Sequence, residues 1–147
     1  MRTIIIIAAI VSAAAFGACT TAPTTRTDAP AMVTKKGISE MSPAEARPGI
    51  EAAYSQFVDV RTPEEFASGH AYRTRNIPLD TLAQNLDKLE KNEPVYVICE
   101  TGRRSKQAAE ILDAAGFVRV ITITGGTAAW REAGMPMAEN PAPGSTP

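Results

Sequence analysis

A chain of 147 residues, with 16 acidic and 15 basic side chains, has room for one domain with a packed core and lacks the basic excess of a nucleic-acid binder. Two cysteines, one histidine and no Cys-x-x-Cys pair are too few ligands for a zinc site, and no other metal or cofactor is implied.

The N-terminus reads as a targeting segment. Arg2 supplies a positive charge, Ile4 to Val11 and Ala13 to Phe16 form an apolar run, and the small residues Gly17 and Ala18 precede Cys19. That order predicts a signal peptide over residues 1–18, and the apolar run is too short for a comfortable membrane span. Phe16-Gly17-Ala18-Cys19 also resembles a bacterial lipobox, with Phe where Leu is usual. The resemblance implies lipid on Cys19 and a membrane anchor on the periplasmic side of a bacterial cell envelope. Thr20 after the cysteine favours the outer membrane, and the alternative is a soluble periplasmic or secreted protein. Residues 19–36, rich in Thr, Ala and Pro, predict a flexible tether, and residues 139–147 a disordered tail.

The folded part is expected over residues 37–138. Ile38 begins a short extended segment. Ser42-Pro43-Ala44-Glu45 is a capping-box pattern, and the helix it opens is expected to be interrupted at Pro48-Gly49. Gln56 to Arg61 reads as a buried strand. Thr62-Pro63-Glu64-Glu65 is a second capping box, opening a short helix that Gly69 stops before His70. Leu82, Leu86 and Leu89 have the spacing of an amphipathic helix. Val95 to Cys99 is the next strand, and Ser105 to Ala115 a helix with Ala108, Ala109, Ile111 and Leu112 inward and Gly116 at its end. Val118 to Ile123 reads as a strand, and Gly125-Gly126 turns into a last helix carrying Trp130 and ending at Gly134. Strands that alternate with helices predict an α/β domain with a mainly parallel central sheet and helices on both faces.

In such sheets chemistry collects at the carboxyl ends of the strands, where Arg61 and Cys99 both lie. Cys99-Glu100-Thr101-Gly102-Arg103-Arg104-Ser105 places a thiol between a strand end and a helix N-terminus. Backbone N–H groups gathered there favour an anion, and so the nucleophilic thiolate. If Cys19 carries lipid, Cys99 is the only thiol of the mature chain.

Five pieces together resemble a single-domain rhodanese. They are Asp59-Val60-Arg61-Thr62-Pro63-Glu64-Glu65-Phe66; Gly69-His70; Asn76-Ile77-Pro78-Leu79; Val97-Ile98-Cys99 with Gly102-Arg103-Arg104-Ser105; and Gly125-Gly126 leading to Trp130, Gly134 and Pro136. They stand in family order and spacing from about residue 57 to 137. The resemblance implies a rhodanese fold and a sulfurtransferase. Cys99 takes sulfane sulfur from a small donor such as thiosulfate or a persulfide, holds it as a persulfide, and passes it to a thiophilic acceptor such as cyanide or a thiol. Glu100, Thr101, Gly102, Arg103, Arg104 and Ser105 form the loop that cradles it, with one of Arg103 and Arg104 expected to reach the pocket and the other to face solvent or an acidic neighbour.

Supporting roles are expected for Asp59, bonded to loop backbone, for Arg61 and Glu65 as an ion pair, for His70 as a structural residue, and for Trp130 as a packing anchor. Phosphatases related to rhodaneses carry Arg six positions after the cysteine; here Arg104 lies five positions after Cys99, which matches the shorter sulfurtransferase loop. Two departures from the family pattern bear on the donor. Glu100 stands where many active members have Arg, Lys or Gln, and repels thiosulfate unless Arg103 or Arg104 neutralises it. Arg73 and Arg75 flank Thr74 where an apolar segment is common, and either add positive charge near the pocket or lie in solvent. The alternative function is a membrane-tethered sulfur carrier or protein-binding rhodanese module, with an envelope protein as partner and little thiosulfate turnover.

Overall fold

The structure is a computed structural model, and it describes residues 37–138. The signal segment, Cys19 with its expected lipid, the tether and the tail from Glu139 lie outside the described residues.

Five parallel strands form the central sheet: β1 (Gly37–Met41), β2 (Gln56–Asp59), β4 (Arg75–Asn76), β5 (Val95–Ile98) and β6 (Arg119–Ile123). Their spatial order is β1-β6-β5-β2-β4. A separate antiparallel pair joins β3 (His70–Ala71) to β7 (Met137–Ala138). The helices are α1 (Pro43–Glu51), α2 (Pro63–Ala67), α3 (Leu79–Leu82), α4 (Arg103–Ala114) and α5 (Gly126–Glu132). Among the described residues no helix is long and apolar enough to cross a membrane.

Alternation along the strands divides the core into two layers. Val58, Val95, Val97, Cys99 and Val120 pack with Leu82, Ala108, Ala109, Leu112 and Phe117, on the face covered by α3 and α4. Phe57, Tyr96, Ile98, Ile121 and Ile123 pack with Ala46, Ile50 and Trp130, on the face covered by α1 and α5. Leu82, Leu112 and Phe117 are fully buried, each contributing about 1.5–3 kcal/mol of transfer free energy. Trp130 is the expected anchor: its ring centroid lies 5.3 Å from that of Phe57, and its Nε1–H donates to Pro136 O at 3.0 Å.

Both capping boxes form. Glu45 N–H donates to Ser42 Oγ at 3.4 Å and Ser42 N–H to Glu45 Oε2 at 2.9 Å; Glu65 N–H donates to Thr62 Oγ1 at 3.3 Å and Thr62 N–H to Glu65 Oε2 at 3.0 Å. Two expectations need correction. Pro48-Gly49 does not break α1, which runs on to Glu51. The amide lost at Pro48 falls so near the end of a nine-residue helix that few bonds depend on it, and Gly49 faces the Tyr96 ring, which leaves no room there for a side chain. The leucine-spaced segment is not one helix either. It is α3 followed by a 3-10 turn at Leu86–Lys88, because Asn85 leaves the helical region at φ −120° and its amide Nδ2 takes Thr81 O at 2.7 Å. Leu82 and Leu89 still reach the core, with Leu86 packed against it.

Candidate active site at the end of strand β5

Cys99 is the first residue beyond β5, and its side chain belongs to the core layer under α4, with 1% of the residue exposed. The chain then turns through Glu100, Thr101 and Gly102 and enters α4 at Arg103, two residues earlier than expected. Gly102 is the N-cap at φ +94°, a left-handed conformation that a side chain disfavours. This tight turn folds the helix N-terminus back onto the thiol. Gly102 N–H donates to Cys99 Sγ at 3.1 Å and Ser105 N–H at 3.4 Å. Ser105 Oγ–H donates to Gly102 O at 2.8 Å, which leaves its oxygen 3.7 Å from Sγ as an acceptor for the thiol proton.

The other side of the loop is gripped by α5. Thr127 N–H donates to Cys99 O at 2.7 Å, its hydroxyl to the same oxygen at 3.1 Å, and Ala128 N–H to Glu100 O at 3.2 Å. Gly126 makes this approach possible: a Cβ there collides with Cys99 O and lies 2.6 Å from Glu100 O. Thr127 carried no mark in the sequence beyond its place after Gly125-Gly126.

Register explains the charged groups. Asp59 pairs with Ile98 across β2 and β5, so two residues on, Arg61 and Glu100 leave adjacent strands side by side. Arg61 Nη1–H donates to Glu100 Oε2 at 2.9 Å, while Nε and Nη2 donate to Asp59, the shortest bond being 2.8 Å, and Nη2 also donates to Gly69 O at 2.8 Å. Burial opposes the charge on Arg61, yet bonding and attraction to Asp59, then to Glu100, hold its pKa above the ordinary arginine value. Arg104 forms a two-pronged pair with Glu65, at 2.6 and 2.7 Å. Those bonds hold the Glu65 carboxyl at about 2 rather than 4.5, against a smaller opposing effect of burial. They also raise Arg104 above its ordinary value, with the Cys99 sulfur among the charges that add to the effect.

These contacts correct two expectations and bear out a third. Arg61 and Glu65 do not pair: Arg61 serves Asp59 and Glu100, and Glu65 serves Arg104. The Asp59 carboxylate does accept from loop backbone, the Arg61 N–H at 3.0 Å, and in addition from the Arg61 side chain. Glu100 is neutralised by Arg61, not by Arg103 or Arg104. Arg104 is the loop arginine that faces an acidic neighbour, whereas Arg103 is exposed and makes no hydrogen bond or ion pair among the described residues. Thr101 is exposed in the turn. His70 is buried, stacks on Phe66 with centroids 3.7 Å apart, and places Nδ1 3.0 Å from Phe66 O. Arg73 and Arg75 bond to the backbone carbonyls of Glu51 and Lys88. Among the described residues no group of His, Cys, Asp and Glu stands together as a metal site.

A family model described as the rhodanese-like domain matches residues 42–133. The uncharacterized protein YqhL of Bacillus subtilis is 38% identical over 86 residues, 58% of this chain and 67% of YqhL. The thiosulfate sulfurtransferase GlpE of Vibrio cholerae is 32% identical over 88 residues, 60% of this chain and 83% of GlpE. The putative sulfur carrier protein YrkF of Bacillus subtilis is 36% identical over 73 residues, half of this chain but only 40% of YrkF. Among solved structures, a rhodanese-related protein from Thermoplasma volcanium superposes with a TM-score of 0.62 at 30% identity, covering 68% of this chain and 97% of that one.

Proposed function

This chain belongs to the rhodanese-like family, and from that premise we propose that it transfers sulfane sulfur through a persulfide on Cys99. The observation that carries the proposal is the seat of the sulfur: Sγ at a strand end, accepting from the amides of Gly102 and Ser105.

The Cys99 thiolate attacks the terminal sulfur of a donor such as thiosulfate. A new S–S bond forms as the donor's S–S bond breaks, and sulfite leaves with the electron pair. The outer persulfide sulfur then carries the negative charge, which loop amides and the α4 N-terminus stabilise. A thiolate or cyanide attacks that outer sulfur, takes it, and releases Cys99 as thiolate. A covalent intermediate released in a second step predicts ping-pong kinetics. Because Cys99 is almost wholly covered, the loop favours reagents that present a single terminal sulfur end-on. Arg104 lends positive charge near the sulfur, and Glu65 fixes where that charge sits.

The test is the intact mass of the full chain after exposure to thiosulfate or an alkyl persulfide, beside Cys99→Ser. One sulfur atom gained by the wild type, absent from the variant and removed by cyanide, is the expected result. No Cys99-dependent gain with either donor refutes the proposal. A second reading, a carrier that loads but turns over slowly with thiosulfate, is favoured by the carboxylate of Glu100 beside the nucleophile and by the likeness to a putative sulfur carrier. Slow cyanide turnover of a readily loaded protein separates it from the first.

A further inference from the structure

The charges around Cys99 are arranged unlike a trap for small dianions. Arg61, buried to 3% exposure of its side chain, lies between two carboxylates, Asp59 and Glu100, so this trio carries a net negative charge. Arg104 is spent on Glu65. Of the guanidiniums nearby, only the exposed Arg103 is without a carboxylate among the described residues. The sulfur itself adds a negative charge in the thiolate and in the persulfide.

Glu100 is the solvent-accessible carboxylate of this arrangement. It directly follows the nucleophile, and its side chain is 39% exposed while Asp59 is fully buried. It is also held in place. Arg61 takes Oε2, and α5 takes the backbone carbonyl through Ala128. Arg61 cannot swing out to greet an anion without abandoning Asp59 in the core, which is costly for a buried pair. The carboxylate is therefore held in a fixed place on the residue next to the nucleophile.

From this geometry we propose that Glu100, clamped by Arg61, is a specificity-determining residue: it disfavours anionic exchange partners, thiosulfate included, and favours thiols bearing positive charge beside the sulfur. The inference rests on the Cys99 sulfur-transfer reading and narrows its substrate class. In the exchange step R–S⁻ attacks the outer sulfur of Cys99–S–S⁻; the new S–S bond forms as the bond to Cys99 breaks, and Cys99 leaves with the electron pair. Sulfur and charge are conserved, so no oxidant is required.

The experiment loads the full chain and Glu100→Gln with excess thiosulfate, removes the donor, and follows discharge to cysteamine, 2-mercaptoethanol and 2-mercaptoethanesulfonate. Glutamine keeps an oxygen for Arg61, and thermal melting checks that the variant is folded. For each thiol the ratio of wild-type to variant rate cancels that thiol's own nucleophilicity. The ratio is expected to fall from the cationic through the neutral to the anionic thiol, by about three- to tenfold per unit charge at low ionic strength, and to flatten in high salt. An equal ratio for all three thiols overturns the charge selection while leaving sulfur transfer intact. Failure of the wild type to load from thiosulfate and from an alkyl persulfide alike, or equal loading of Cys99→Ser, brings down the sulfur-transfer reading and this inference with it.

Discussion

Replacing Gly126 by Ala tests whether α5 shapes the sulfur site. Gly126 has φ +61° and Gly134, at the far end of the same helix, φ +66°. An added methyl group strains both backbones alike, by about 1 kcal/mol. Their surroundings differ: nothing lies within 4 Å of a Cβ at Gly134, whereas at Gly126 it overlaps Cys99 O and stands 2.6 Å from Glu100 O and 2.7 Å from Glu100 C. Backbone atoms cannot rotate aside, so helix and loop must separate by about 1 Å, losing the bonds from Thr127 and Ala128 to those carbonyls. Three bonds at about 1 kcal/mol each, added to the strain, give about 4 kcal/mol for Gly126→Ala against about 1 kcal/mol for Gly134→Ala. A displacement of that size can also cost about a hundredfold in rate at a site that depends on position. Denaturant unfolding measures the first effect and quenched mass measurement of Cys99 sulfur uptake the second. Equal stability of the two variants, with wild-type uptake by Gly126→Ala, would refute the idea that α5 aligns the loop.

Acid should weaken the tie between α2 and α4. The Glu65 carboxyl titrates near 4.5 when unfolded and at about 2 when folded. Its contribution is therefore complete above pH 4.5 and lost as pH falls towards 2. Because the pair is partly exposed, solvent screening reduces that contribution to about 1 kcal/mol. Glu65→Gln should lower the melting temperature near neutral pH by about 4–8 °C and remove that share of the acid slope; an unchanged slope refutes the assignment. Arg61→Met should be far more damaging, by about 3–5 kcal/mol, because it leaves the fully buried Asp59 without its partner. A denaturant midpoint close to wild type would show that Asp59 does not depend on Arg61.

Local signals in the sequence carried most of the fold. Ser42 and Thr62 each precede Pro and a Glu three residues on, and each starts a helix where that pattern predicts. Val95 to Ile98 alternates between two core layers, and its apolar run ends at the thiol. The sequence misled where an element's period survived without the element. Leu82, Leu86 and Leu89 keep helical spacing, yet Asn85 spends its side chain on Thr81 O and the helix stops short of it. Ion pairing was the least legible feature. Arg61 and Glu65 stand four apart, a favourable spacing on a helix, but Arg61 ends a strand while Glu65 folds back onto Thr62. Their partners, Glu100 and Arg104, are each 39 residues away. Only the register of β2 on β5 brings them close.

The same register gives the loop its chemistry, through a property of the peptide unit. In a planar trans peptide the C=O and the following N–H point in opposite directions. Thr127 draws the Cys99 carbonyl towards α5, so the Glu100 N–H is turned away from α5. Ala128 does the same to the Glu100 carbonyl, and so to the Thr101 N–H. Both amides therefore face away from α5, which covers the sheet face opposite the one where the Cys99 side chain packs. The amides of Gly102 and Ser105 contact Sγ. Among the described residues the sulfur is thus served by two backbone N–H groups, with no cationic side chain bonded to it. That arrangement suits the persulfide proposed for Cys99 and leaves the proposed charge selection to the exposed carboxylate of Glu100.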